Sequence, residues 1–252
     1  MKTLIQAELL KLRTTRSFWL YLTAALAFVP VTVALAVTGA AAGQQDGIMP
    51  LGSSDGVRNV FGSAAGGTVM LLLIGIYMMA GEFRHNTATS TFLVTPDRRR
   101  VVGAKLAASS FVGFIVGLAA SVLTLAMAIP WLSAKDVDLA SHWGDIAAVL
   151  LGVLLATTLS PIVGVGFGAL VTNQTFAVTA ALVWITTLEG LLVSFKPEVG
   201  RWLPGGASAA LTETATLNGG LLPIWGGALL FAAYGLAFSA AGSRFVLRRD
   251  IA

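Results

Sequence analysis

Six apolar runs of about 20 residues or more constrain this chain more than any other feature. A helix crossing a bilayer needs about 20 mostly apolar residues. A buried strand of a soluble α/β protein needs only roughly 4–8. The runs fall at about 18–37, 60–81, 106–131, 146–171, 175–195 and 222–243. Only 11% of the residues are charged and the mean hydropathy is +0.83, whereas a soluble globular domain carries about 25% charged residues. The chain therefore reads as all-α, a single polytopic membrane domain over residues 1–252 with six transmembrane helices. The third and fourth runs are longer than a bilayer requires, so they are expected to tilt or to extend into water. Pro161 falls inside the fourth, where a kink is expected.

The connections between these runs alternate in charge. One set comprises the N-terminus, 82–105, 172–174 and the C-terminus. It carries Lys2, Lys11, Arg13, Arg16, Arg84, Arg98, Arg99, Arg100, Lys105, Arg244, Arg248 and Arg249, twelve of the sixteen basic residues. The other set, 38–59, 132–145 and 196–221, carries the remaining four: Arg58, Lys135, Lys196 and Arg201. Because Lys and Arg collect on the cytoplasmic side, the first set and both termini are expected to be cytoplasmic. The net charge of +4 is then a topology signal, and no nucleic-acid partner is expected.

In the leader "MKTLIQAELLKLRTTRSF", Leu4, Ile5, Leu9 and Leu12 share one helical face. Lys2, Glu8, Lys11 and Arg13 lie between or opposite them, the pattern of a helix lying in the membrane interface. A secretory signal could end at Ala40-Ala41-Ala42. The apolar run before it exceeds the roughly 7–15 residues of such signals, so the first run is expected to be retained as a span.

Several activities lack their residues. There is no Cys, hence no disulfide or thiolate metal site. The glycine cluster "GSAAGGT" at 62–68 lacks the Lys of a phosphate-binding loop. Both His residues, His85 and His142, fall in predicted loops, and no nucleophile–base constellation lies within a span. No metal site and no catalytic residue are expected.

Glu189 is the one strong acid inside a run. It lies fourteen residues beyond Thr175, about 21 Å along a helix in a core of about 30 Å. A carboxylate at that depth is either an outer-gate or pathway group, or one that reaches the interface or pairs with Lys196 or Arg201. A proton- or ion-coupled carrier or channel using Glu189 is the alternative function, although such carriers place more ionisable groups near the midplane. A non-transporting membrane scaffold, sensor or enzyme is a third. The pairs Gly113/Gly117 and Gly164/Gly168 allow close helix approach, read as packing and only weakly as a dimer interface.

"GEFRHNTATSTFLVTPDRRRVVGAK", residues 81–105, is a polar island between the second and third runs. Phe83, Thr87 and Thr91, or Ala88 and Phe92, share faces at i+4 spacing, which predicts a short helix from about Arg84 to Val94. Pro96 disfavours helical geometry at Thr95. Asp97 is then a natural N-cap for a second helix leading into the third span. Such an element can transmit a push from a cytoplasmic partner. Its arginines could instead serve only topology and anionic lipid heads.

With the leader "AELLKLRTTRSFWL", this island resembles the permease subunits of type-2 ATP-binding-cassette (ABC) transporters, especially short actinobacterial ones. These show G-E-[FY]-R-x-x-T, then T-x-P-x-R and a Lys entering the third span. The matching residues are Gly81, Glu82, Phe83, Arg84 and Thr87, then Thr95, Pro96, Arg98 and Lys105. "RWLPGGASAAL" at 201–211 is similar to the family's loop between the fifth and sixth spans. The resemblance implies an exporter permease in a bacterial plasma membrane, paired with a second permease chain, identical or not. Two cytoplasmic P-loop ATPase subunits would dock beneath and carry the ATP and Mg2+, this chain holding no cofactor. The 82–105 loop would be the ATPase-coupling element, with Glu82, Phe83, Arg84, Thr87, Phe92, Pro96, Arg98 and Lys105 as its candidate residues. The loop before the sixth span would form short re-entrant helices on the outer side.

Overall fold

The computed structural model describes residues 1–42, 50–85, 87–212 and 220–248. Among these there are helices and no strands. An N-terminal helix α1 (Lys2–Thr14) turns at Thr15 into α2 (Arg16–Ala42), which continues through Ala40-Ala41-Ala42. Next come α3 (Ser54–Gly62), a 3-10 segment (Ser63–Gly67) and α4 (Thr68–Arg84). The short α5 (Ala88–Val94) precedes the 36-residue α6 (Arg98–Ser133). Then follow α7 (Trp143–Leu170), α8 (Gln174–Val183), a π segment (Trp184–Leu188) and α9 (Glu189–Phe195). The short α10 (Pro197–Gly200) and α11 (Pro204–Thr212) lead to α12 (Ile224–Arg248).

Six helical stretches are long and apolar enough to cross a membrane: Arg16–Gly39, Ser54–Arg84, Arg98–Ser133, Ala140–Leu170, Gln174–Phe195 and Ile224–Arg244. The second begins earlier than the apolar run at 60–81 suggests. Ser53 caps α3 by accepting the Gly56 amide at 3.1 Å, and helix begins there despite Asp55 and Arg58. Arg58 is therefore helical, not a loop residue. Its guanidinium pairs with Asp145 of α7 at 2.6 Å, which satisfies a charge that apolar surroundings would penalise. At 1.5 Å per residue α6 is about 54 Å long, longer than the bilayer core, so its basic first turns extend beyond the apolar part.

α7 is the centre of the bundle, packed against α4, α6 and α12. The glycine pairs explain the closeness. A Cβ on Gly164 would strike the Leu72 carbonyl of α4, and one on Gly168 would lie 3.0 Å from the Ile76 carbonyl. Gly113 and Gly117 of α6 close in the same way on Thr157 of α7. Both pairs are spent on contacts within the chain, which removes the weak dimer reading. α7 runs through Pro161 as one helix. The proline has no N–H for the Thr157 carbonyl four residues earlier, and that carbonyl is the atom Gly113 approaches.

The fraction of each span that is buried separates two classes. The most apolar part of Ser54–Arg84 is 61% buried and that of Ala140–Leu170 is 50%, against 22%, 17% and 22% for the first, fifth and sixth spans. α2, α8–α9 and α12 therefore present wide apolar faces outward, to lipid or to another chain.

Candidate functional site

α1, the described residues of the 82–105 loop and the Thr172–Gln174 link gather at one end of the bundle, and the centre of that end is a buried ion cluster. Lys105, 1% exposed, donates to Glu8 Oε2 at 2.7 Å, to Glu82 Oε1 at 2.8 Å and to the Met78 carbonyl at 3.0 Å. Its three N–H groups are thus all used. Lys11 bridges the same two carboxylates, reaching Glu8 Oε1 and Glu82 Oε1 at 2.8 Å each. Two ammoniums and two carboxylates make the cluster neutral. It joins three elements: α1 through Glu8 and Lys11, the end of α4 through Glu82, and the start of α6 through Lys105.

Local structure delivers these groups. Ile5, Leu9 and Leu12 turn onto a core cluster with Leu71, Met78, Val101 and Val102. Glu8 follows Ile5 by three residues and precedes Leu12 by four, so it belongs to the same inward stripe. Burial alone would raise the pKa of Glu8, but the charge and hydrogen bonds of Lys105 and Lys11 outweigh it, and the carboxyl titrates below 4.5. For Lys11, burial opposes the ammonium and the bonds to Glu8 and Glu82 outweigh it, so the amine titrates above 10.5. A cavity of about 300 Å³ beside the cluster is bordered by Tyr77, His85 and Thr87.

The predicted helix from Arg84 to Val94 is divided differently. Glu82, Phe83 and Arg84 are the last residues of α4, and a new helix begins only at Ala88. The Thr87 amide reaches back to the Glu82 carbonyl at 2.9 Å and the His85 amide to the Gly81 carbonyl at 3.0 Å, which closes α4 by satisfying its last carbonyls. Phe83 packs against the core cluster that α1 joins. Arg84 is exposed, beside the Thr172–Gln174 link. Phe92 lies on α5, with its side chain outside the described part. Asp97 caps α6 as its sequence position suggests, accepting from Arg99 N at 3.1 Å and Arg100 N at 3.3 Å. Pro96 is exposed just before it and Arg98 is half-buried at the first turn. Leu93 and Val94, which the sequence did not single out, are 78% and 85% exposed at the tip of α5. Lys105 and Glu82 are thus interior residues, and the outward surface of this loop is an apolar tip beside arginines.

Glu189 stands at the opposite end, at the first turn of α9 immediately after the π segment. It pairs with neither Lys196 nor Arg201 among the described residues. Its Oε1 accepts the backbone N–H of Gly205 at 2.7 Å and of Gly206 at 3.1 Å. These are free donors at the start of α11, where the helix dipole also favours negative charge. The π segment shifts the helix register and accompanies the turn of Glu189 toward α11. The Tyr234 hydroxyl donates to the Trp202 carbonyl at 2.8 Å and ties the same short-helix region to α12. α10 and α11 supply the short helices that the loop before the sixth span was expected to contain.

This fold defines a multi-pass integral membrane protein whose organised site is a junction of helices rather than a set of reacting groups. The chain belongs to the ABC-2 family of transporter proteins, whose family model matches residues 4–188. It is therefore a membrane permease of the ABC transporter class and is not itself the catalyst of ATP hydrolysis. No curated protein matches the chain.

Proposed function

We propose that the chain is one half of an export permease, with α1, α5 and both termini on the cytoplasmic side of a bacterial plasma membrane. It pairs with a second permease chain, and a pair of P-loop ATPase subunits binds the α5 end. ATP and Mg2+ belong to those subunits. The observation that carries this reading is the contrast within residues 82–105. The base of the loop is fixed by the Glu82–Lys105 bridge at 2.8 Å, while Leu93 and Val94 are exposed at 78% and 85%. Exposed apolar side chains at a loop tip mark an interaction site. The nearby arginines fit an acidic rim around an apolar cleft. The charge asymmetry of twelve against four supports the orientation.

The test is co-purification from host membranes. The full chain is expected to carry with it a P-loop ATPase that has no membrane spans, identified by mass spectrometry. Leu93→Asp with Val94→Asp is expected to release that subunit and to leave the permease folded. Retention of the ATPase by the double variant, or its absence from the unaltered complex, would overturn the assignment of α5. The two backbone amides on Glu189 Oε1 support a structural role for this carboxylate over the carrier reading.

A further inference from the structure

A cavity of about 500 Å³ lies between α2, the 3-10 segment before α4, α11 and the flank of α12. Pockets for drug-sized ligands span roughly 300–1,000 Å³. Among the described residues its wall contains no ionisable side chain. Thr32 and Ser160 contribute hydroxyls already donated inward, to the Ser63 carbonyl at 2.8 Å and the Ala156 carbonyl at 2.7 Å. Asn59, Thr68 and Ser208 also line it. The Asn59 carboxamide is half-buried and has no hydrogen-bond partner among the described residues. Leu35 borders the cavity and is 65% exposed, so the space opens sideways along α2.

This chemistry selects a ligand. A charged molecule would lose its hydration here and gain no countercharge. A sugar would bring many more hydroxyls than the wall can pair, and each buried, unpaired one carries a desolvation penalty. An apolar body with one or two hydrogen-bonding groups meets neither obstacle, and it could arrive from the hydrocarbon beside α2. Gly205 borders the cavity while its N–H points to Glu189, so the one acid nearby is already engaged by backbone.

We infer that this cavity binds an uncharged, predominantly apolar small molecule, with Asn59 as the orienting group. Its role as the cargo site rests on the permease reading above.

Because the chain has no Cys, Ser208→Cys introduces a single thiol. In full-length protein reconstituted in lipid nanodiscs, N-ethylmaleimide is expected to alkylate it. Nile red, an uncharged dye with a carbonyl acceptor, is expected to slow alkylation about fivefold at four times its dissociation constant. A sulfonated Nile red is expected to leave the rate unchanged. Leu229→Cys, on the 66%-exposed site of α12, reports dye merely dissolved in lipid and is expected to show no protection. Asn59→Leu, which removes the hydrogen bond, is expected to raise the dissociation constant of the dye by up to about tenfold, so that protection at the same dye concentration falls from about fivefold toward about 1.4-fold. Thr68→Cys serves as a second reporter if Ser208→Cys does not fold. The inference is overturned by equal protection at Leu229→Cys, by equal protection from the sulfonated dye, or by failure of N-ethylmaleimide to reach either cavity thiol. Loss of protection with the ATPase still bound sinks the cavity assignment alone. Loss of the ATPase with protection intact sinks the coupling assignment alone.

Discussion

Replacing Lys105 by methionine removes a buried ammonium while keeping a side chain of similar length. In the native cluster that ammonium donates to Glu8, Glu82 and the Met78 carbonyl within 3.0 Å. After the change, Glu8 Oε2 has no donor, the Met78 carbonyl keeps only its bond within α4, and the cluster carries one net negative charge. Removing one partner of a buried ion pair costs about 3–5 kcal/mol. Lys11 still bridges both carboxylates and its side chain is 49% exposed, so relief by Lys11 and by water places the cost near the low end, about 3 kcal/mol. For a chain of this size that corresponds to about 6–12 °C in melting temperature. Lys11→Ala is the control: it removes a half-exposed ammonium and is expected to cost no more than about 1 kcal/mol.

Two measurements check the reasoning. The first is the melting temperature of the full chain in detergent. The second is the alkylation rate of a single thiol at Leu12→Cys, a position 4% exposed under α1. Lys105→Met is expected to raise that rate, because α1 loses its anchor to α6. Adding Glu8→Gln to Lys105→Met restores neutrality and is expected to recover part of the loss, with a coupling of about 0.5–3 kcal/mol between the two sites. A melting shift below that of Lys11→Ala, with Leu12→Cys still protected, would refute the idea that the cluster anchors α1.

Two further outcomes follow from the same geometry. Glu8 titrates below its ordinary value, so its contribution is complete above pH 4.5 and is lost as pH falls through the depressed folded value; Lys11 titrates above its ordinary value, so its contribution is complete below pH 10.5 and is lost as pH rises through the elevated folded value. The contributions of Glu8 and Lys11 to a pH–melting profile are expected to be flat between these limits and to fall at the two ends, with the acid limb losing its Glu8 component in Glu8→Gln. Glu189→Gln keeps an oxygen for the Gly205 and Gly206 amides and is expected to preserve folding and ATP-driven transport. Glu189→Ala leaves both amides unpaired and is expected to cost about 1–3 kcal/mol; abolition of transport by Glu189→Gln in a folded protein would restore the ion-coupled reading.

The six spans were legible because bilayer thickness writes itself into sequence as run length, and Asp97 was legible because capping is local. Glu8 was less so. Its i+3 relation to Lys11 looks like an ordinary surface pair, and the sequence grouped it with the polar residues between or opposite the apolar face, whereas the fold turns it inward with Ile5 and Leu12. The partners that bury it, Glu82 and Lys105, are 74 and 97 residues away in sequence, and no periodicity reaches that far. Glu189 was found by depth, but its partners were not legible, since the backbone amides of Gly205 and Gly206 leave no charge signature. The early start of the second span was hidden by Asp55 and Arg58. Hydropathy scores these as loop residues, whereas the fold caps the helix with Ser53 and pairs Arg58 with Asp145.

An ion cluster is a costly way to hold three helices together, and that cost bears on its purpose. Well-packed apolar residues in place of a buried salt bridge are often as stable or more stable. If firmness were the only requirement, Leu or Met at 8, 11, 82 and 105 would serve. What charges add is direction: each ammonium fixes where two carboxylates must sit, so α1, α4 and α6 are held in one register. The α5 loop springs from α4 and α6 on either side of that register, and a partner pressing on Leu93 and Val94 would move the three helix ends as one body. Replacing all four charged residues with Leu or Met separates firmness from register. The variant is expected to melt within a few degrees of the unaltered protein and, on the function proposed above, still to bind an ATPase through the unchanged α5. Its ATP hydrolysis should then lose its dependence on transport. Full coupling in such a variant would show that the cluster only holds the helices together.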